Sequence, residues 1–154
     1  MKCGEKMPNI MINETCNLRC PYCFASEFVN QNHKEMTMEA FQEALEFVLA
    51  DGTERQIGII GGEPALHSKI NEILKIAMDD VRSYPVMIYT NAVFLEKISD
   101  ENLENRKFRM LVNCNSPEDM GKDKYEKMRS NIRKFIEEHI GAGRFKLSIN
   151  LYKP

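Results

Sequence analysis

The chain has 154 residues, 43% of them hydrophobic, so it can bury a core, and we expect a single domain over residues 1–154. A formal net charge of -2 and the lack of any block rich in Lys and Arg exclude a dominant nucleic-acid footprint. The sequence contains no long apolar run and no signal-peptide pattern, so we expect a cytoplasmic protein without a membrane partner. Five cysteines in such a chain are typical of reduced thiols or metal ligands rather than disulfides.

Short apolar runs alternate with longer amphipathic ones, which predicts repeated βα units and a parallel sheet in an α/β fold. The pattern predicts five strands, over 9–13, 56–60, 86–90, 108–114 and 145–151. Between them it predicts a helix over 37–50 with Thr37 as N-cap, a short helix over 95–103 and a helix over 122–139. A further helix, between the second and third strands, is expected to bury Leu66, Ile70, Ile73, Leu74 and Ala77.

Polar residues follow each predicted strand, at the edge where parallel sheets bind their ligands. These residues are a cysteine loop after the first strand, Gly61 to Pro64 after the second, Thr90 and Asn91 after the third, Asn113 and Asn115 after the fourth, and Ser148 and Asn150 late in the fifth. Because side chains alternate along a strand, Phe145 and Leu147 are expected to pack on helices while Ser148 and Asn150 face the ligand side.

Three cysteines, Cys16, Cys20 and Cys23, occupy one short loop at a C-x3-C-x2-C spacing. Thiolates are preferred ligands of iron-sulfur clusters, and three of them can hold three irons of a cubane cluster and leave the fourth iron open. A zinc site is the alternative. Its fourth ligand would come from residues that lie at no typical paired spacing from the loop, namely Cys3, Cys114, His33, His67 or His139.

The cysteine spacing, with an aromatic residue before the last Cys, and a downstream apolar strand that ends in Gly61-Gly62-Glu63-Pro64 together resemble the signature of the radical S-adenosylmethionine (radical SAM) superfamily. The resemblance implies that the three cysteines ligate a 4Fe–4S cluster and that SAM binds its open iron. It also implies that the Gly61–Pro64 segment binds the methionine amino group and that Tyr22 lies near the adenine. Residues at the ends of the last three strands would reach the carboxylate and ribose of SAM, namely Thr90, Asn91, Asn113, Asn115 and Asn150.

What the resemblance implies about activity is reductive cleavage of SAM to methionine and a 5'-deoxyadenosyl radical, which abstracts a hydrogen atom from a substrate. An electron donor such as flavodoxin or ferredoxin would serve as a partner. The loop wording Cys-Asn-Leu-Arg-Cys-Pro-Tyr-Cys-Phe is most similar to enzymes that modify peptides or proteins, including sulfatase-maturing members. A glycyl-radical activating enzyme and a small-molecule enzyme stay open, as does a non-catalytic scaffold that holds zinc or an incomplete cluster.

The resemblance also implies a barrel of six βα units, whereas the pattern predicts only five strands. We therefore expect a partial (β/α) barrel of the radical SAM type that lacks its sixth unit through truncation at the C-terminus. Its last strand would be an open edge, and pairing with a second copy would cover that edge in a homodimer. We expect His33, His67 and His139 to be solvated or on helix surfaces, and Cys114 to be a small buried hydrophobe.

Overall fold

The computed structural model describes residues 7–139 and 144–149, and these form one five-stranded sheet flanked by helices. All strand pairs are parallel, and the strand order is β1-β2-β3-β4-β5, which confirms the predicted α/β fold. The strands are β1 (Asn9–Met11), β2 (Arg55–Ile60), β3 (Ser83–Thr90), β4 (Phe108–Cys114) and β5 (Phe145–Ile149). The helices are α1 (Met38–Leu49), α2 (Ile70–Asp79), α3 (Asp100–Glu104), α4 (Pro117–Met120) and α5 (Lys122–Glu138), and two 3₁₀ turns cover Pro64–Leu66 and Leu95–Lys97.

The core lies on the face of the sheet that the helices cover. Ile59 in β2, Ile88 in β3 and Met110 in β4 are fully buried there, and the residues between them along each strand point to the other face. Burying a side chain of this size stabilises the fold by about 1.5–3 kcal/mol. The apolar alternation in the strands therefore determines which face the helices cover.

The N-terminus of α1 and that of α2 differ in how well the sequence predicts them. Thr37 caps α1 as predicted, because its Oγ1 accepts a hydrogen bond from the Ala40 N–H at 3.2 Å. The predicted start of the second helix is wrong, since Leu66 lies in the 3₁₀ turn and α2 begins only at Ile70. The cause is the extended backbone of His67, with ψ of 132°, which separates the two elements.

Strand β3 begins three residues before its predicted start at Val86. The sequence pattern favours a start after Pro85, because proline has no N–H to donate to the ladder. In the structure Arg55 pairs with Ser83 and Ile57 with Val86, so β3 has one more residue than β2 over this stretch. This local irregularity accommodates the proline inside the strand.

Three smaller differences concern the remaining connections and the edge of the sheet. The stretch 95–103 forms a 3₁₀ turn followed by α3 rather than one helix, and α4 was not predicted. Phe145 packs against the core as expected, whereas Leu147 is 56% exposed in a groove between β5 and α5, so its predicted helix packing is wrong. Within the described residues, none of the helices combines the length and apolarity that crossing a membrane requires.

Candidate cofactor site

A cavity of about 840 Å³ opens at the carboxyl ends of the strands and is lined by the cysteine loop, the end of β2, the end of β3, and residues of β4 and β5. Its volume lies within the range of about 300–1,000 Å³ that is typical of ligand pockets. The predicted site residues that line it are Cys16, Cys20, Tyr22, Cys23, Gly61, Gly62, Glu63, Thr90, Asn91, Asn113 and Asn115. Pro64 does not line it and is buried as the first residue of the 3₁₀ turn, while Asn150 lies outside the described residues.

The three cysteines are partly buried thiols that no disulfide engages. The loop that carries them is closed by Asn30, whose Oδ1 accepts a hydrogen bond from the Cys16 N–H at 2.9 Å and whose N–H donates to the Glu14 carbonyl at 2.7 Å. Asn30 has a φ of 62°, a left-handed conformation that Asn tolerates better than most residues. Asn30 therefore determines the path of the backbone around the first cysteine.

The donor set of three thiols that line one cavity fits an iron-sulfur cluster, because each cysteine of a cubane cluster binds a different iron. Within residues 7–139 and 144–149, no three His, Cys, Asp or Glu side chains converge on one metal position. Burial raises the pKa of the Cys16 thiol to about 11 and that of Cys20 above its usual value, so iron binding must displace a proton from each. Cys3, one candidate zinc ligand, lies outside the described residues.

The glycines after β2 let this segment approach the base of the cysteine loop. Gly62 N–H donates to the Asn13 carbonyl at 2.9 Å, and the next N–H, that of Glu63, donates to the Thr15 carbonyl at 2.8 Å. A Cβ added at Gly62 would lie 2.5 Å from the Thr15 carbonyl oxygen and 3.0 Å from the Cys16 Cβ. Only glycine fits here without moving the backbone that leads into the first cysteine.

The carboxylate of Glu63 is almost fully buried, with an exposed fraction of 1%, and receives three hydrogen bonds from the described residues. Its donors are the Thr90 hydroxyl at 2.6 Å, the Asn91 N–H at 2.8 Å and the Ala65 N–H at 3.1 Å. Burial raises the pKa of Glu63, and the three donors oppose that effect. Since a carboxylate offers about four lone-pair positions, one remains for a further donor such as an ammonium group.

Thr90 and Asn91 line the cavity, but their side chains are largely engaged within the protein. The Thr90 hydroxyl also accepts from the Ala92 N–H at 2.9 Å. The Asn91 amide donates to Asn17 Oδ1 at 2.8 Å and accepts from the Val93 N–H at 3.0 Å. The side chains of these two residues therefore stabilise the wall of the cavity and present few polar groups to a ligand.

Asn113 in β4 and Ser148 in β5 offer polar groups to the cavity. The two residues are paired across the strands and both line the cavity. Neither side chain has a hydrogen-bond partner within the part of the chain that the structure describes. Arg19 also lines the cavity with an exposed guanidinium, a residue that the sequence analysis missed although it lies between two of the cysteines.

Tyr22 and Asn115 join the cysteine loop to the end of β4. The Tyr22 hydroxyl donates to Asn115 Oδ1, and Asn115 Nδ2 donates to Cys20 Sγ at 3.3 Å. Asn115 is therefore oriented toward a cysteine. Phe24, on the other side of the last cysteine, is 82% exposed.

His67 is buried, whereas the sequence predicts a side chain that is solvated or on a helix surface. The ring is 4% exposed, and its Nδ1 accepts from the Lys69 N–H at 3.0 Å. Its Nε2 therefore carries the hydrogen and donates to the Met36 carbonyl at 3.0 Å. This pair of bonds fastens the end of the long loop after β1 to the segment after Glu63. No local sequence signal distinguishes His67 from an exposed histidine.

Comparison with known proteins places this geometry in a family. The family model described as the Radical SAM superfamily matches residues 10–151. The chain is 26% identical over 149 residues to a GTP 3',8-cyclase of Alkaliphilus oremlandii, a match that covers 92% of this chain and 45% of that protein. The chain spans less than half the length of the curated relatives it matches.

Two solved structures share the fold. SuiB of Streptococcus suis bound to S-adenosylmethionine has a TM-score of 0.69 and 17% identity, and the match covers 96% of this chain and 34% of that chain. Native anSMEcpe with bound AdoMet and Cp18Cys peptide has a TM-score of 0.64 and 16% identity, and the match covers 93% of this chain and 41% of that chain.

The family match confirms the two cofactors that the sequence predicted, a 4Fe–4S cluster and S-adenosylmethionine, because members of this family use both. It also agrees with the arrangement of the cavity, in which three thiols face a segment of glycines beyond the ends of parallel strands. The chain belongs to the radical SAM superfamily.

Proposed function

We propose that this chain is the catalytic part of a radical SAM enzyme in which Cys16, Cys20 and Cys23 hold the cluster and the cavity beside them binds SAM. The observation that carries the proposal is that all three thiols and the Gly61–Glu63 segment line the same cavity. When bound, the cluster supplies the electron that cleaves SAM to methionine and a 5'-deoxyadenosyl radical, which takes a hydrogen atom from the substrate.

The residues of this chain would bind and orient the cofactor rather than react with it. The remaining lone pair of Glu63 and the backbone of Gly61 and Gly62 suit the methionine ammonium group. Arg19 supplies a cation for the carboxylate, and Asn113 and Ser148 supply neutral hydrogen-bonding groups for the ribose hydroxyls. The Tyr22 ring lies at the same wall and limits access of water.

For the substrate we propose a peptide or protein. Two observations support this class: the wording of the cysteine loop, and the similarity in fold to anSMEcpe, which was solved with a bound peptide. A nucleotide is the second candidate, because a relative that matches 92% of this chain is a GTP 3',8-cyclase. Among the described residues that line the cavity, Arg19 is the only Lys or Arg, which is few for a triphosphate.

The test is formation of 5'-deoxyadenosine by anaerobically reconstituted protein given dithionite and SAM, with the variant Cys16→Ala/Cys20→Ala/Cys23→Ala as control. Brown protein that contains iron and forms a product lost in the control supports the proposal. A colourless protein with stoichiometric zinc supports the scaffold alternative instead. Stimulation of product formation by GTP would overturn the peptide assignment in favour of the nucleotide.

A further inference from the structure

We propose that Asn115 tunes the reduction potential of the cluster through a hydrogen bond to the ligand Cys20. The inference rests on the proposed function, since it requires Cys20 to bind the cluster. It assigns Asn115 a role toward the cluster instead of the contact with SAM that the sequence analysis predicted.

The contact is specific in its atoms. Asn115 Nδ2 lies 3.3 Å from Cys20 Sγ, a normal length for a hydrogen bond to sulfur. On the other side of the same amide, Oδ1 accepts the hydroxyl hydrogen of Tyr22. A thiolate can only accept hydrogen bonds, so a flipped amide would bring its oxygen against the negative sulfur and lose that bond, whereas the Tyr22 hydroxyl could pair with either end of the amide. The sulfur of Cys20 therefore selects the orientation in which the amide donates.

Asn115 is placed to act on the ligand without being a ligand itself. It follows the last residue of β4, its exposed fraction is only 6%, and it is fixed by the sheet rather than by the cysteine loop. Cys16 is different: its Sγ accepts the backbone N–H of Leu18 at 3.4 Å, within its own loop. The Tyr22 hydroxyl also forms a hydrogen bond with Cys20, so Asn115 and Tyr22 are two side chains whose substitution can remove a hydrogen bond to this thiol.

The physical consequence follows from charge. Reduction adds one electron to the cluster, so the reduced state is the more negative and gains more from a donor aimed at a coordinating sulfur. Removing the donor should therefore make reduction harder and move the potential to a more negative value. Because a hydrogen bond of this kind is worth about 1 kcal/mol, we expect a several-fold to about tenfold lower ratio of reduced to oxidised cluster at a fixed potential. A tenfold change corresponds to about 59 mV for one electron.

The experiment is a potentiometric titration of the reconstituted protein, followed by electron paramagnetic resonance and carried out without SAM. Asn115→Leu removes the donor while keeping a side chain of similar size. Tyr22→Phe keeps the Asn115 donor but removes a hydroxyl that contacts both Asn115 Oδ1 and Cys20. Asn102→Leu is the matched control, because Asn102 is equally buried, at 5% exposed, and donates to Asn71 far from the cysteine loop.

We expect a more negative potential in Asn115→Leu, a shift in the same direction in Tyr22→Phe, and no shift in Asn102→Leu. If Asn115→Leu cannot hold a cluster, Asn115→Ala, which removes the same donor without adding a branched side chain, replaces it. The inference is wrong if the Asn115 variant that holds a cluster has an unchanged potential. Weaker SAM binding in that variant, with an unchanged potential, would make Asn115 a SAM contact. Failure of the unchanged protein to bind any cluster would overturn the proposed function as well, so the two failures are distinguishable.

Discussion

Glu63 at the carboxyl end of β2 accepts a hydrogen bond from Thr90 at the carboxyl end of β3, with 2.6 Å between Oε1 and Oγ1. The neighbouring Asn91 N–H donates to the other carboxylate oxygen at 2.8 Å. One buried carboxylate thus ties together the ends of two strands at the mouth of the cofactor cavity. Its structural role can be separated from cofactor binding, because it is measurable in the protein without cluster or SAM.

We expect Glu63→Gln to lower the free energy of unfolding by about 1–3 kcal/mol. The amide nitrogen would replace one carboxylate oxygen and would then face a hydrogen-bond donor that the oxygen accepts in the unchanged protein. Chemical denaturation of the cofactor-free protein measures the effect. Glu35→Gln is the control, because Glu35 accepts hydrogen bonds from Ser68 at a more exposed position and should cost less. Equal losses in the two variants would contradict the role assigned to Glu63.

The same carboxyl group should make stability depend on pH in a defined direction. Burial raises the pKa of Glu63 in the folded protein above its value in the unfolded chain, so between these two values the folded state binds more protons. Stability should therefore fall as pH rises from the ordinary glutamate pKa through the raised one, by at most about 1.4 kcal/mol per pH unit. Glu63→Gln lacks this dependence, so the difference in unfolding free energy between protein and variant should change over that window. A constant difference would mean that Glu63 does not titrate there.

Gly62→Ala should displace the start of the cysteine loop. The new Cβ would lie 2.5 Å from a backbone oxygen of Thr15, which a side-chain rotation cannot relieve. We expect a loss of about 1–3 kcal/mol in unfolding free energy and less iron bound per chain after reconstitution. Gly58→Ala is the comparison, since its Cβ would first meet the end of the Asn9 side chain, which is exposed and can rotate. A Gly62→Ala protein that binds iron and unfolds like the unchanged protein would refute this account.

The sequence predicts the sheet and the outline of the site well, because both depend on local patterns. Alternating apolar residues identify the strands, and parallel strands necessarily bring their carboxyl ends to one edge. Residues that follow different strands, such as Cys20, Gly62 and Asn113, therefore had to meet there, and they line one cavity. The three cysteines needed no tertiary information, since they share one loop.

What the sequence could not predict are contacts between residues far apart in the chain. His67 is buried because the loop after β1 folds over it, and Asn115 points at Cys20 because β4 ends beside that loop. The hydrogen bonds of Thr90 and Asn91 to the buried carboxylate of Glu63 likewise join residues far apart in the chain. Polar side chains that look available in the sequence are thus satisfied in the fold, and only three-dimensional packing decides which of them stay open to a ligand.

Arg82 should stabilise the edge of the sheet opposite the cavity. Its guanidinium contacts Glu46 at 2.6 Å and Asp80 at 2.7 Å and donates to the Leu49 carbonyl, so it joins α1 to the start of β3. We expect Arg82→Lys to lower the unfolding free energy, because an ammonium group cannot make these forked contacts at once. High salt should reduce the loss. Lys75→Gln, at an exposed pair, should lower the unfolding free energy less, and an equal loss in both variants would argue against the forked arrangement.

The homodimer predicted from the open edge strand makes a last testable claim. Among the described residues β5 pairs only with β4, and Leu147 on it is 56% exposed. If a second copy covers this edge, sedimentation should show concentration-dependent association that Leu147→Lys abolishes, because a buried unpaired charge opposes the contact. Phe47→Lys is the control, since Phe47 is 83% exposed on α1 and should leave association unchanged. A monomer at every concentration, or equal effects of both substitutions, would exclude an interface through β5.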